Sequence, residues 1–288
     1  MERIIDVTGG QGGKAFLLVG KEKTALMDCG MAYCASSLIQ NIKEAIPARP
    51  LDYIIISHSH YDHIGAIPYL KDEWPAVNVL GAAYAQQVLH KPNALKTIRQ
   101  LSIQAAEFYG AAQPLPYDDA KLKVDRIIKD GDTLSLGDMH ITVVKTTGHT
   151  QCSLAFFINN EILFASETTG CLSSSGRIYP AFIISWADAI NSITICRELN
   201  PRFIYSPHYG LVSQADTADY WDKCLMAVCE TRDFILRLAA QGYDQEQILA
   251  EYERVFRNEE SRREQPINAF RLNTQNMIKT VLREAQTG

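Results

Sequence analysis

The residues 58–63, HSHYDH, bring together three of the seven histidines and one aspartate. Placing imidazoles this close together only to fill space costs free energy, because each ring needs hydrogen-bond partners and the rings repel one another when protonated. A bound cation removes that cost, and imidazole and carboxylate groups are common metal ligands. The stretch therefore predicts a metal site, with a histidine cluster that holds no metal as the alternative.

Three further side chains of ligand type follow predicted strands farther along the chain. They are His149 in TTGHTQCS, Glu167 in LFASETTG and His208 in YSPHYG. Functional residues are often held in this way, on loops at the ends of a rigid scaffold. His90 and His140 lack such a setting, and we predict that they are structural or surface residues.

The elements that must position these side chains can be read from the hydrophobic pattern. Alternating or continuous apolar runs predict strands at 3–7, 15–19, 24–28, 51–57, 77–81, 124–128, 133–136, 140–146, 153–158, 161–165 and 203–206. Helical spacing predicts helices at 33–46, 64–70, 82–110, 185–199, 216–241, 245–256 and 266–284. Pro92 interrupts the helix predicted at 82–110, and Asp216 and Asp244 are the predicted N-caps of two later ones. The HSHYDH stretch then follows the C-terminal end of a buried strand.

Composition narrows the class of protein. With 288 residues and 47% hydrophobic residues, the chain can bury a substantial core. Its net charge of -5 argues against a nucleic-acid partner, since such binding draws on Lys and Arg facing phosphates. No membrane span or secretory leader is predicted, and the expected location is the cytoplasm. The glycine-rich residues 9–13 are predicted to form a hairpin turn, because Ala15 stands where a phosphate loop needs Ser or Thr.

The order of predicted strands and helices also divides the chain into two regions. We predict a catalytic domain over 1–212, with a helical insertion at about 82–110, and a helical C-terminal extension over 213–288 that caps the active site. The charged stretch 254–264 balances its signs and is predicted to be a solvated helix face.

The order of HxHxDH, GHT, an acidic strand end and PHYG over residues 1–212 resembles the metallo-β-lactamase superfamily. The resemblance implies an α/β (α+β) fold, a four-layer αββα sandwich with a metal site at one edge. It implies that one metal is held by His58, His60 and His149, the second by Asp62, His63 and His208, and that Glu167 bridges the two. Asp28, in TALMDCG, would support these ligands from behind. Most relatives carry Asp at the bridging position, so Glu167 implies either altered spacing or a weaker second metal.

Ligands without a thiolate suit two divalent ions, with zinc ranked first and iron and manganese as alternatives. Two such ions lower the pKa of a shared water to about 7, so we predict that a metal-bridging hydroxide attacks the carbonyl of an ester, thioester or lactone. Asp62 is the candidate catalytic residue that moves the proton. Tyr61, Tyr179 and Tyr209 are candidates for binding substrate.

Within the superfamily, the stretch SHSHYDHIGAIPYL and the helical C-terminal region are most similar to the quinolone-signal thioesterase branch. The expected partner is a small-molecule substrate, without nucleic acid or membrane. A phosphodiesterase acting on small molecules, an iron-dependent redox member and a non-catalytic regulatory member of the same fold are the alternatives. The native substrate and the oligomeric state stay open, with a homodimer among the possibilities.

Overall fold

The computed structural model describes residues 3–287, and these fall into two compact units. The first unit comprises residues 3–145 and Leu154–Asn159, and the second comprises Thr146–Ser153 and residues 160–287. Each unit supplies part of the predicted ligand set, the first through residues 58–63 and the second through three later side chains. Within residues 3–287, no helix combines the length and hydropathy needed to cross a bilayer.

A six-stranded sheet, in which neighbouring strands follow the chain order, dominates the first unit. Its strands are β1 (Ile4–Asp6), β2 (Phe16–Val19), β3 (Thr24–Met27), β4 (Tyr53–Ile55), β5 (Asn78–Gly81) and β6 (Arg126–Ile127). The pairs from β1 to β3 are antiparallel, and those from β3 to β6 are parallel. β3 is buried along its whole length, as expected for a strand in the parallel part of a sheet.

Helices connect the parallel strands, because a tight turn cannot join a parallel pair. They are α1 (Ala35–Ala45), α2 (Tyr61–Ile64), α3 (Ile67–Glu73), α4 (Ala83–Leu89) and α5 (Pro92–Phe108). The interruption predicted at Pro92 is confirmed, since this residue begins α5 at a position where its missing N–H costs nothing. β4 ends at Ile55, so the HSHYDH stretch lies at the C-terminal end of a parallel strand.

The first unit also contains an antiparallel meander of three strands. They are β7 (Thr133–Ser135), β8 (His140–Lys145) and β9 (Leu154–Ile158). β9 is buried at every position, whereas His140 on β8 is exposed, as predicted. His90, beyond the end of α4, is likewise exposed.

Five short strands belong to the second unit. They are β10 (Ile162–Phe164), β11 (Cys171–Leu172), β12 (Ile178–Tyr179), β13 (Phe203–Ser206) and β14 (Gly210–Leu211). β10 and β13 are parallel, with Phe164 opposite Tyr205, so their C-terminal ends lie at the same edge. Glu167 follows one of these ends and His208 follows the other. β11 and β12 form a separate antiparallel hairpin that the sequence did not predict.

Helices make up most of the rest of the second unit. They are α6 (Trp186–Glu198), α7 (Gln214–Thr217), α8 (Tyr220–Ala240), α9 (Gln245–Phe256), α10 (Glu259–Glu264) and α11 (Ile267–Thr287). The predicted N-cap at Asp244 is confirmed, because its side chain accepts from Gln247 N in a capping box. These C-terminal helices pack within the second unit, and the predicted domain boundary at 212 stays a prediction.

One helix start predicted for the C-terminal region is wrong, and one predicted solvated face is correct only in part. Asp216 is not an N-cap, because Ser213 accepts a hydrogen bond from the Asp216 N–H and thereby begins α7; the helix predicted over 216–241 is in fact divided between α7 and α8. The stretch 254–264 is solvated as predicted only in part. Exposed residues there are Arg254, Glu259, Arg262, Arg263 and Glu264, but Arg257 is only 7% exposed and Ser261 only 5%.

Candidate metal centre

Asp28 organises the start of the ligand-rich stretch. It follows β3 with a φ of 53°, a left-handed conformation that Asp adopts more readily than most residues. One carboxylate oxygen accepts from Ser57 N at 2.7 Å, and the other accepts from Ser57 Oγ at 2.8 Å. The second oxygen also lies 2.8 Å from His63 Nδ1. Asp28 thus holds both the beginning and the end of the HSHYDH segment.

The contact with Asp28 also sets the tautomer of His63. A carboxylate accepts hydrogen bonds, so Nδ1 of His63 carries the proton and Nε2 keeps its lone pair. A histidine that ligates a metal commonly has its other ring nitrogen oriented by a carboxylate in this way. His63 is therefore prepared to offer Nε2, and its side chain is only 5% exposed.

The three imidazoles of the stretch lie against one another. The ring centroids of His58 and His60 are 4.6 Å apart, and those of His58 and His63 are 4.2 Å apart. His58 and His63 are buried, and His60, in extended backbone before α2, is half-buried. Three rings at this separation cannot all carry a proton at low cost, so the cluster favours neutral imidazole, the form that binds metals.

The glycine-rich connector between β1 and β2 packs against α2, the helix that carries Asp62 and His63. A Cβ atom on Gly13 would lie 2.2 Å from the Asp62 carbonyl oxygen, and one on Gly65 would lie 2.4 Å from Ala32 N. Cys29 N also donates to the His63 carbonyl at 2.8 Å. The connector is a strand-to-strand turn, as predicted, and it fixes the position of α2.

In the second unit, His149 is oriented by backbone and hydroxyl partners. Its Nδ1 donates to the Ala181 carbonyl at 2.5 Å, which leaves Nε2 to face Glu167 Oε2 at 2.9 Å. Its backbone N–H donates to Thr168 Oγ1, and that hydroxyl donates to the Thr146 carbonyl. The ring is 1% exposed and held at both ends.

Glu167 lies between two histidines in this unit. Oε2 faces His149 Nε2 at 2.9 Å, while Oε1 faces His208 Nε2 at 2.5 Å. The carboxylate is 9% exposed and begins a short 3-10 helix after β10. His208 follows β13 with a φ of 61°. Each oxygen of one carboxylate is thus directed toward a different imidazole.

The predicted substrate tyrosines occupy three different environments. Tyr61 packs against a buried cluster that includes Met31 and Ala105. The Tyr179 hydroxyl donates to Asn258 Oδ1 at 3.1 Å, next to α10. Tyr209 is half-buried beside His208. A role of these tyrosines in substrate binding stays a prediction.

Several residues that shape the ligands were not identified from the sequence. Ser57 stands outside the predicted ligand set, yet its hydroxyl donates to Asp28 and lies 3.1 Å from His58 Nδ1. Thr168 and the Ala181 carbonyl orient His149 without any sequence signal. Burial raises the pKa of Glu264 in α10, with nearby Glu260 adding to the rise and His208 opposing it.

Ligand-type side chains make up two groups that could each hold a metal ion. The groups are His58, His60, His149 and Glu167, and Asp62, His63, Glu167 and His208. Imidazole nitrogens and carboxylate oxygens, without a thiolate, fit zinc, iron or manganese. Glu167 belongs to both groups, so the donor set is consistent with a dinuclear metal site.

Comparison with known proteins defines the class. A model of the metallo-beta-lactamase superfamily matches residues 8–208, and the chain belongs to that superfamily. Metallo-beta-lactamase fold-containing protein ST1585 of Sulfurisphaera tokodaii is 24% identical over 203 residues, which cover 69% of this chain and 73% of that protein. The crystal structure of TTHA1429 from Thermus thermophilus superposes with a TM-score of 0.66 at 15% identity, covering 99% of this chain and 95% of that one. The predicted fold class is thereby confirmed.

A hydroxyacylglutathione hydrolase of Prochlorococcus marinus is also similar. It is 27% identical over 131 residues, which cover 44% of this chain and 39% of the hydrolase. The matched part therefore spans well under half of that enzyme. Hydrolytic chemistry is consistent with this similarity.

Proposed function

We propose that this protein is a dinuclear metal-dependent hydrolase that acts on the carbonyl of an ester, thioester or lactone. The observation that carries the proposal is the placement of Glu167 between His149 and His208, at 2.9 and 2.5 Å. A carboxylate with one oxygen directed toward a histidine of each ligand set is suited to be shared by two ions. The longer side chain of Glu167 allows this arrangement, which supports the bridging assignment.

The seven side chains divide between the two ions as the superfamily resemblance implies. The first ion would be held by His58, His60 and His149, the second by Asp62, His63 and His208, and both by Glu167. Zinc ranks first, with iron and manganese as alternatives. When bound, two divalent ions would lower the pKa of water to about 7 and polarise a substrate carbonyl.

The chain's own groups would orient the ligands and move the proton. Asp28 keeps the proton of His63 on Nδ1, and the Ala181 carbonyl does the same for His149. Asp62, whose Oδ2 lies 3.9 Å from His63 Nε2, is the group we assign to accept a proton from the attacking water. No serine or cysteine nucleophile is required.

Three partly buried tyrosine rings, those of Tyr33, Tyr61 and Tyr109, form an apolar surface beside α2 that supports an acyl substrate. They pack against the buried side chains of Met31, Cys34 and Ala105. Ala105 lies on α5, so part of the helical insertion at 82–110 packs beside the helix that carries Asp62. Apolar walls with a few polar groups are typical of small-molecule sites.

The name of the hydroxyacylglutathione hydrolase also supports an acyl substrate, since it describes the hydrolysis of an acyl derivative of glutathione. Placement in the quinolone-signal thioesterase branch is the finer form of the same proposal. A small-molecule substrate and a cytoplasmic location, both predicted from the sequence, belong to this proposal as well, while the oligomeric state stays open with a homodimer among the possibilities.

A substrate panel tests the reaction class. Protein loaded with zinc, iron or manganese is expected to hydrolyse acyl thioesters or aryl esters at least about tenfold faster, by kcat/KM, than bis-p-nitrophenyl phosphate, because an uncharged carbonyl suits the apolar surface beside α2. Initial rates on matched concentrations of each substrate measure this. A preference for the phosphodiester contradicts the acyl assignment, and oxygen uptake on a persulfide without ester hydrolysis favours the redox alternative.

A further inference from the structure

The hairpin of β11 and β12, residues 171–179, is connected to all three ligands of the second unit. Glu167 begins the short 3-10 helix that leads through Gly170 into the hairpin. The φ of Gly170 is 90°, a value that suits glycine. Leu172 N donates at 3.0 Å to Ser206 Oγ, two residues before His208. The Ala181 carbonyl, two residues after the hairpin, orients His149. A shift of this hairpin would therefore reach Glu167, His149 and His208 together.

The hairpin has little means of holding itself in place. Each of its strands has two residues, with Cys171 opposite Tyr179 and Leu172 opposite Ile178. Isolated two-stranded hairpins are marginally stable at best, even when they are longer than this one. Leu172, Ser173 and Ile178 are buried and anchor its base, whereas Ser174 and Ser175 at its tip are exposed. The order of the tip must come from other contacts.

Glu260, on α10 of the C-terminal region, supplies those contacts. Its carboxylate accepts from Ser174 Oγ, from Ser175 N at 2.9 Å and from Ser175 Oγ at 2.6 Å. The Tyr179 hydroxyl, on the other strand, lies 3.5 Å from Glu260 Oε2. Desolvation works against the ionised carboxylate, but the donors outweigh it and the pKa of Glu260 is lowered. One ionised side chain thus binds the tip of the hairpin through three donors.

α10 is itself anchored, so it can act as a fixed support. The Asn258 side chain caps it by accepting from Ser261 N at 2.9 Å, and Ser261 is buried. The Asn258 side-chain oxygen also accepts from the Tyr179 hydroxyl. The Arg177 guanidinium lies over the rings of Tyr179 and Phe256, at 5.7 and 5.3 Å from their centroids.

We propose that Glu260 is a positioning residue for the metal centre: by fixing hairpin 171–179, it keeps Glu167, His149 and His208 aligned and slows the release of metal. The inference rests on the proposed metal centre and extends it, because it gives the C-terminal helices a specific task. Glu260 is not itself one of these ligands, and in this role it acts on them through the hairpin.

Three variants and a matched control test this role. Glu260→Gln keeps the size of the side chain but loses its charge, and Glu260→Ala removes it. Glu259→Gln removes a neighbouring charge on the same turn of α10, from a side chain that is 94% exposed and lies 3.9 Å from the Arg263 guanidinium. Ser175→Ala removes one hydroxyl donor to Glu260 from the hairpin side while the Ser175 N–H remains, and it serves if the Glu260 variants do not fold.

Hydrogen–deuterium exchange of residues 171–179 in metal-free protein measures the contact itself. Because a hydrogen bond to a charged group corresponds to roughly tenfold in an equilibrium, exchange is expected to rise about tenfold in Glu260→Ala and less in Glu260→Gln. Loss of bound metal to a chromophoric chelator is expected to accelerate about tenfold in the same variants. Glu259→Gln is expected to match the wild type in both measurements.

The outcomes separate this inference from the proposed function. Wild-type protein that holds no metal under any loading condition overturns the proposed metal centre and the inference with it. If the wild type holds metal, and the variants loosen the hairpin without faster metal loss, only the positioning role of Glu260 is overturned. Unchanged exchange in every Glu260 and Ser175 variant also overturns it.

Discussion

Replacing Glu167 with glutamine is expected to lower the metal content from two ions per chain to one or fewer and to reduce hydrolysis at least about 100-fold. Changes to groups that only support a ligand already cost about 10–100-fold in affinity or activity, so loss of a shared ligand should exceed that range. Glutamine keeps the volume of the side chain but carries no charge, and only one of its terminal atoms accepts a hydrogen bond. A glutamine could therefore not present an acceptor oxygen toward both His149 and His208, as the carboxylate does.

Elemental analysis and initial rates measure the effect of Glu167→Gln. Glu198→Gln, an exposed glutamate on α6 of the same unit, is the control and should keep both metal and activity. Circular dichroism and thermal unfolding show whether each variant folds. A folded Glu167→Gln protein that still holds two ions and hydrolyses at the wild-type rate would contradict the bridging role.

Replacing Asp28 with asparagine is expected to weaken metal binding by about 10–100-fold, the usual range for a residue that orients a ligating histidine. The asparagine oxygen can still accept from Ser57 N, but its NH₂ group would then face His63 Nδ1. That contact requires Nδ1 to accept, so the proton moves to Nε2 and the lone pair needed for the metal is lost. The expected defect is therefore in metal affinity, with a small change in fold stability.

Asp52 offers a matched control for Asp28. It lies near the other end of β3 and β4, and both of its carboxylate oxygens also accept hydrogen bonds. One accepts from Lys23 Nζ at 2.9 Å and the other from Thr24 N at 2.8 Å. No histidine takes part in these contacts. Asp28→Asn and Asp52→Asn should each cost about 1 kcal/mol of unfolding free energy. Titration with a competing chelator should show weaker metal binding only for Asp28→Asn, and equal affinities would show that Asp28 does not set the tautomer.

Much of the candidate site was predictable, because ligand types are rare and fall at strand ends. HSHYDH follows β4, while Glu167 and His208 come after the parallel strands β10 and β13. The groups that orient the ligands were harder to predict from the sequence. A backbone carbonyl such as that of Ala181 carries no residue-type signal, and it meets His149 across 32 residues of sequence.

The missed elements have similar physical reasons. The hairpin at 171–179 has two-residue strands, too short to show an alternating pattern. Its partner Glu260 lies 86 residues after Ser174 and looks like any charged surface residue in the sequence. The wrong N-cap at Asp216 was avoidable, because Ser213 three residues earlier begins the capping pattern Ser-x-x-Asp.

The central claim, that these imidazole and carboxyl groups hold two ions, is tested most directly by elemental analysis of purified wild-type protein beside His60→Ala and His140→Ala. Two ions per chain are expected in the wild type and in His140→Ala, whose histidine is exposed on β8. One ion or fewer is expected in His60→Ala, with loss of hydrolysis. Equal metal content and equal activity in all three proteins would contradict the assignment.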